Sequence, residues 1–434
     1  MFIETSTLQT IAMAASSAVA FFQMARRGTP QSLAMPLLAC AFLALNPASA
    51  PEILAQAAQH AAPVLSLFTA VAIPAHMIER SRGFLWLAAV FGRALGLFQL
   101  KSPRYMVSTF VVSILLSTFV IAGCLHNITA ILIMVPITVT LCERYGVTSR
   151  WLLCAMLVAS NLGGFSTAWG DTPNIIESAT WNLTHADFAR EIFPVNLAMV
   201  LLLSGAVVLL AQRSRRDAMD EVTAAGIVAG YGQERRSISI DRRLLGLGLG
   251  ILVVSIVSSV LFRRYTVAIA AAAVLVAVLF ERPEEQKQTL ESLGFDVYIT
   301  LFSVFVIAAA VESSSLGRQL HDVIAGTGGA PWAIAIAAYL GTGATEAASW
   351  AAATANSTFV INPSHAAAWA LGGGVCAGSS SLITAASAGI ILSAETRRCA
   401  RLGDEITFGK YLYFGLPASL IMLAIYAILF TSQA

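Results

Sequence analysis

Charge is what this chain has least of. Asp, Glu, Lys and Arg together supply 12% of its 434 residues, against about 25% in an ordinary soluble domain. A water-soluble core needs a polar coat, and a single core stops growing near about 250–300 residues, so soluble folding is excluded. The 26 Lys and Arg against 24 Asp and Glu leave a net charge of only +2. No basic field is available for nucleic acid, and none is expected as a partner. The six cysteines (Cys40, Cys124, Cys142, Cys154, Cys376 and Cys399) show neither a CxxC pair nor metal-ligand spacing. They read as small packing side chains, with no resident metal or cofactor. A Walker A motif is missing too, so no ATP-driven step is expected within the chain. Met1 to Thr7 holds Glu4 and no Lys or Arg, which argues for a retained first helix rather than a cleaved leader.

What is present is apolar sequence in long blocks. Hydrophobic residues make up 57% of the chain and its mean hydropathy is +0.76. A helix needs about 20 residues to cross a hydrocarbon core of about 30 Å. Spans are expected near 8–24, 33–50, 61–78, 105–123, 125–142 and 191–211, and again near 244–262, 265–280, 296–313, 330–344, 346–362 and 411–430. Two more segments, 150–178 and 366–394, are apolar but interrupted by Gly, Ser, Thr and Pro. The expectation is an all-α polytopic membrane protein with roughly 11–13 transmembrane segments.

Charge concentrates in one stretch, 212–243, which carries Arg213, Arg215, Arg216, Arg235, Arg236, Arg242 and Arg243. By the positive-inside rule it reads as a cytoplasmic linker between a first transmembrane repeat, 1–211, and a second, 244–434. The segment 84–98, with Trp86 and Phe91, reads as an interfacial helix. The halves share markers: Glu79 and Glu312 close apolar spans, and Gly163-Gly164 and Gly378-Ser379-Ser380-Ser381 interrupt later ones. Repeats of this kind mark secondary transporters, whose sites form where discontinuous helices meet near mid-membrane.

The segment Asn161-Leu162-Gly163-Gly164-Phe165-Ser166-Thr167-Ala168-Trp169-Gly170-Asp171-Thr172-Pro173-Asn174 holds the densest chemistry. In hydrocarbon, irregular backbone persists only where it lines protein or water. Unwinding at Gly163-Gly164 would free carbonyls for a cation, with Asn161, Ser166, Thr167 and Asn174 as neutral ligands and Asp171 as a charge. The plainer reading makes Asp171 the cap of the next helix in a surface turn. Between two apolar runs, His126-Asn127 forms either a hairpin tip or a second break. His126 is the proton-coupling candidate because its unperturbed pKa of about 6.5 lies in the working range; the alternative is a structural histidine. Glu346 is the candidate second buried carboxylate, or else a cap at a surface, and Ser379 and Ser380 lie in the second break.

The order of Asn127, Asn161-Leu162-Gly163-Gly164 and Gly170-Asp171-Thr172-Pro173-Asn174 resembles the ion transporter superfamily, which includes arsenite permeases and sodium/proton antiporters of the NhaD type. More distantly it includes dicarboxylate and citrate carriers. That resemblance implies two inverted repeats, each with a re-entrant hairpin and a broken helix, and a homodimer through a scaffold region. It also implies Na⁺ or H⁺ as coupling ion. There are departures: His126-Asn127 stands where the family has Asp-Asn, and the corresponding pair in the second half reads Glu346-Ala347. A looser similarity is to the MamN-like branch of magnetosome membrane proteins.

The leading reading is a secondary active transporter of a small inorganic ion, through Na⁺/H⁺ exchange or oxyanion export, in a bacterial inner membrane or an organelle membrane derived from it. A membrane potential of 100 mV supplies roughly 2.3 kcal/mol per charge. The alternative is a transport-inactive homologue that serves as a membrane scaffold or in organelle biogenesis. An intramembrane hydrolase built on Ser166 ranks last, because Gly164-Phe165-Ser166-Thr167 lacks the trailing glycine of a nucleophile elbow.

Overall fold

In the computed structural model, residues 5–27, 29–86, 89–90, 106–145, 149–168, 170–181, 183–213, 239–261, 265–292, 295–314, 330–348, 350–351, 365–398 and 405–432 are described. They are overwhelmingly helical and contain no strand. In the first half run α1 (Thr5–Arg27), α2 (Gln31–Leu45), α3 (Ala50–Arg80), α4 (Met106–Leu125), α5 (Asn127–Tyr145), α6 (Ser149–Phe165), α7 (Thr172–Trp181) and α8 (Phe193–Arg213). The second half has α9 (Arg242–Leu261), α10 (Thr266–Phe280), α11 (Pro283–Ser292), α12 (Phe295–Glu312), α13 (Pro331–Ala344), α14 (His365–Ser379), α15 (Ser387–Arg398) and α16 (Phe408–Thr431).

By length and composition, four described helical runs can cross a membrane: Ala50–Arg80, Val107–Cys124, His185–Leu210 and Phe408–Thr431. Shorter apolar helices accompany them at Ile11–Met24, Ser32–Leu45, Asn127–Glu143, Val267–Phe280 and Phe295–Val311. Their outward side chains suit lipid, with Leu202, Leu209, Leu279 and Ile428 each more than 60% exposed. In water such an apolar surface would be an aggregation hazard. This is an all-α polytopic integral membrane protein. Most of the linker (214–238), most of the interfacial segment 84–98 (87–88 and 91–98) and most of the expected span 346–362 (349 and 352–362) fall outside the described residues.

The helices sort into two groups. In one, α3 packs on α9 and α10 of the other half, while α12 packs on α2 and α3. An ion pair fastens this group: Arg80 Nη2 lies 2.7 Å from Glu281 Oε1, and the Glu281 side chain is fully buried. Thr289 Oγ1 donates to the same carboxylate, so α11, a polar helix that hydropathy does not flag, has a clear role in anchoring α3. The second group joins α4–α8 to α13–α16. There α4 packs on α6 and α8 packs on both; likewise α13 packs on α14 and α16 packs on both. The two broken segments and the two short polar interruptions all belong to this second group.

Candidate functional site

The first break lies one turn later than expected. Helix α6 continues through Gly163 and Gly164 to Phe165, and the irregular described residues are 166–168 and 170–171. Both glycines serve close approach inside a continuous helix: a Cβ on Gly164 would stand 3.0 Å from the Gly170 carbonyl oxygen. A Cβ on Gly163 would stand 2.1 Å from the Phe119 carbonyl oxygen of α4, and one on Gly170 would stand 2.6 Å from the Gly164 carbonyl oxygen. The chain folds back on itself between Gly164 and Gly170. Asn174, on the first turn of α7, closes that loop by donating to the carbonyls of Gly164 (2.9 Å) and Thr167 (2.8 Å). Its amide is therefore a brace for the break, and both carbonyls that it binds are already satisfied once.

The hydroxyls are engaged in the same way. Ser166 Oγ donates to the Leu162 carbonyl at 2.7 Å, and Thr167 Oγ1 to the Gly123 carbonyl at 2.8 Å. In the second break, Ser379 and Ser380 both donate to the Cys376 carbonyl, at 2.8 and 3.0 Å. Each hydroxyl still keeps lone pairs for a cation. Their first job, however, is to satisfy helix ends that have no water to turn to.

The polar interruptions pack against the breaks. His126 alone separates α4 from α5, with a φ of 114° that only a well-supported non-glycine residue adopts. Next to it, the Asn127 amide N–H donates to the Gly170 carbonyl at 3.0 Å, and Ala347 N–H donates to the Ala385 carbonyl at 3.1 Å in the second half. Equivalent contacts recur down both halves. Ser166 N–H bonds the Gly163 carbonyl and Ser381 N–H bonds that of Gly378, 215 residues on, each at 3.0 Å. Gly163 abuts the Phe119 carbonyl, and Gly378 abuts that of Tyr339. These correspondences pair His126 with Glu346 and Asp171 with Ala386.

Each half thus presents one carboxylate, but at a different place: Asp171 in the first break and Glu346 at the second interruption. The two are within electrostatic reach of one another, and the Asn127 side chain hydrogen-bonds Asp171. Asp171 is partly buried and its Oδ1 also accepts from Thr172 N–H at 2.8 Å, so it caps α7 as well. Glu346 is not at a surface. It is 2% exposed, and it accepts from Ser387 Oγ (3.0 Å) and from Ala348 N–H (2.8 Å). Asn161, inside α6, ties the breaks together by donating to Ser380 Oγ at 3.1 Å. Its Oδ1 is buried and accepts no hydrogen bond among the described residues. His126 is buried and stands 3.4 Å from Thr172 Oγ1, a long contact.

Sequence reading missed three residues here. Asn196 on α8 donates to the Leu162 carbonyl (2.9 Å) and Ser166 Oγ (3.1 Å), and Tyr426 on α16 donates to Asn196 Oδ1 at 2.7 Å. Tyr411 braces the second break through the Ser380 carbonyl at 2.8 Å. All three lie in apolar spans, where an isolated polar side chain was the available signal.

A profile of the citrate transporter family (CitMHS) matches residues 19–374. The chain belongs to the citrate transporter family. The matched region covers both interruptions, the first break and Glu346. A magnetosome protein, MamN, of Magnetospirillum gryphiswaldense is 27% identical over 332 residues, covering 71% of this chain and 75% of the relative. An uncharacterized transporter of Mycobacterium tuberculosis is 29% identical over 204 residues, 45% of each chain. The mouse P protein is 31% identical over 134 residues, 28% of this chain and 16% of its own length. Membership of the citrate transporter family makes this a secondary transporter and not an enzyme.

Proposed function

We propose that the protein carries a small inorganic cation, bound where the two breaks meet, in exchange or symport with H⁺ or Na⁺. One observation carries this reading: carboxylates from the two halves, Asp171 from the first break and Glu346 from the second interruption, come within electrostatic reach of one another. Two such charges in a low-dielectric interior repel, and a cation between them offsets the cost of burying them. Around them Asn127, the unpartnered Oδ1 of Asn161 and the lone pairs of Ser166, Thr167, Ser379 and Ser380 supply neutral oxygens. Gly163 and Gly164 let the backbones close on the site, and Asn174 holds its shape. This donor set disfavours a bare oxyanion. A polycarboxylate of the kind the family is named for would enter together with its own cation.

The matched contacts in the two halves support an inverted pair of repeats, joined by a cytoplasmic linker at 212–243, with α2, α3 and α9–α12 as the static scaffold of a homodimer. Kinship to arsenite permeases and NhaD-type antiporters belongs to the same proposal. The similarity to MamN leaves one second reading, a scaffold in organelle biogenesis, because His126 stands where the ion-transporter resemblance implies a carboxylate.

The test is flux in proteoliposomes with Na⁺, Li⁺, K⁺, arsenite, small dicarboxylates and citrate with and without Mg²⁺, with a pH-sensitive dye inside. Cation-dependent flux that Asp171→Asn abolishes supports the reading. Flux of a free anion, unaffected by either Asp171→Asn or Glu346→Gln, would refute it. No flux of any substrate in well-folded wild type favours the scaffold.

A further inference from the structure

Glu177 has no part in the arrangement described so far. It lies on α7 six residues past Asp171, about 9 Å further along the helix axis. Its side chain is fully buried, and neither carboxyl oxygen has a hydrogen-bond partner among the described residues. Helix α7 packs on α14 here, and Gly372 makes the room: a Cβ on it would stand 2.8 Å from Glu177 Oε2 and 2.6 Å from the Phe165 ring. Phe165 meets Phe188 and Tyr426 edge-on, which completes an apolar wall.

Four titratable groups among the described residues stand around this pocket. Asp171 faces it from its own segment, and Cys376 lies one turn beyond Gly372 on α14, within electrostatic reach of both acids. Tyr426 of α16 contacts Cys376 and is committed to Asn196. Glu191 accepts from the indole of Trp369 on α14. No cation stands among these groups.

An ionised carboxylate without a partner costs several kcal/mol in such surroundings, whereas the neutral acid costs far less. Helix packing does not require an acid here, because the matching position in the second half, 215 residues on, is Leu392. We propose that Glu177 is an exchangeable proton-binding site of the broken helix. It holds a proton as the carboxylic acid while α7 is closed on α14. When the two helices part, the O–H bond breaks, water accepts the proton and the carboxylate remains; closing reverses the step. This deepens the carrier reading, on which the parting of α7 from α14 rests. It also places the coupling proton between the cation site and the end of α7, not on His126.

The experiment is infrared spectroscopy of the full-length protein in liposomes, in H₂O and then in D₂O. Wild type should show a carboxylic-acid C=O band that Glu177→Gln lacks and Glu177→Asp shifts, and the band should move on transfer to D₂O. Glu177→Gln should melt with wild type, since a neutral amide replaces a neutral acid of similar size. A spectrum unchanged by Glu177→Gln overturns the proposal. So does a Glu177 band that never exchanges, which would mean a sealed structural acid. If the band exchanges but no ion moves in the flux panel, the carrier reading falls while the proton site stands.

Discussion

Gly163→Ala tests the idea that the break is positioned by two backbones in contact. The new Cβ would meet the Phe119 oxygen at 2.1 Å, with the carbonyl carbon and Cα of the same residue within 3 Å. Ordinary contact begins at 3.4 Å, so α4 and α6 must separate by about 1.3 Å. All three obstructing atoms are backbone, and no rotamer change removes them. Overpacking of this type costs typically about 1–3 kcal/mol, and rigid obstacles place it near the top of that range. Alanine returns roughly 0.5–1 kcal/mol through its better helix propensity. The net expectation is a loss of about 2 kcal/mol. It is measured as thermal or denaturant unfolding in detergent against Gly246→Ala, a helix glycine with nothing within 4 Å of its Cβ. That control should be neutral or slightly stabilised. If Gly163→Ala unfolds together with the control, the close approach of α4 and α6 is not what fixes the break.

Asp171→Asn and Glu346→Gln should each remove cation-dependent flux, and the double variant should be no worse than either, since neighbouring charges that share one ion are not additive; additive losses would place them in separate sites. Thr167→Val should cost about 0.5–1.5 kcal/mol of stability and weaken ion binding far less than Asp171→Asn, because its hydroxyl serves the Gly123 carbonyl and offers the ion only a neutral lone pair. A large fall in affinity at unchanged stability would make it a ligand first. Arg80→Ala should destabilise by about 3–5 kcal/mol, because it strands the buried Glu281 carboxylate, whereas Glu281→Gln in the same background should recover part of the loss. A cysteine at Ala225 should resist an impermeant maleimide in intact cells if 212–243 is cytoplasmic, and labelling from outside would reverse the topology.

The membrane class, most of the apolar helices and the neighbourhood of the unusual backbone were legible in the sequence. The reason is that hydrocarbon enforces simple rules. A span must be long, apolar and internally hydrogen-bonded, so spans such as 105–123 and 296–313 fall within a few residues of α4 and α12. Any cluster of Gly, Ser, Asn and Asp inside such a span stands out against that background, as 161–174 does. Glu346 was found on the same ground, as a charge where the hydrocarbon tolerates few.

What the sequence could not supply is the partner of each polar atom, because that depends on which helices touch. Ser166, Thr167 and Asn174 read as ion ligands; tertiary contact gives each a second task, bracing a carbonyl, and leaves Asn161 Oδ1 with no hydrogen bond among the described residues. Gly163 and Gly164 read as points of unwinding, but Gly163 is where two helices cross and Gly164 is where the returning chain at Gly170 and Asp171 packs back on its own helix. Glu177 was invisible as a site: on its own it is one acid near the end of a short helix. Only the packing of α7 on the bare backbone of Gly372 seals it away from water and from every counter-charge described. Local chemistry fixes which residues can line an ion path, and the crossing of helices decides which of their atoms are left to face it.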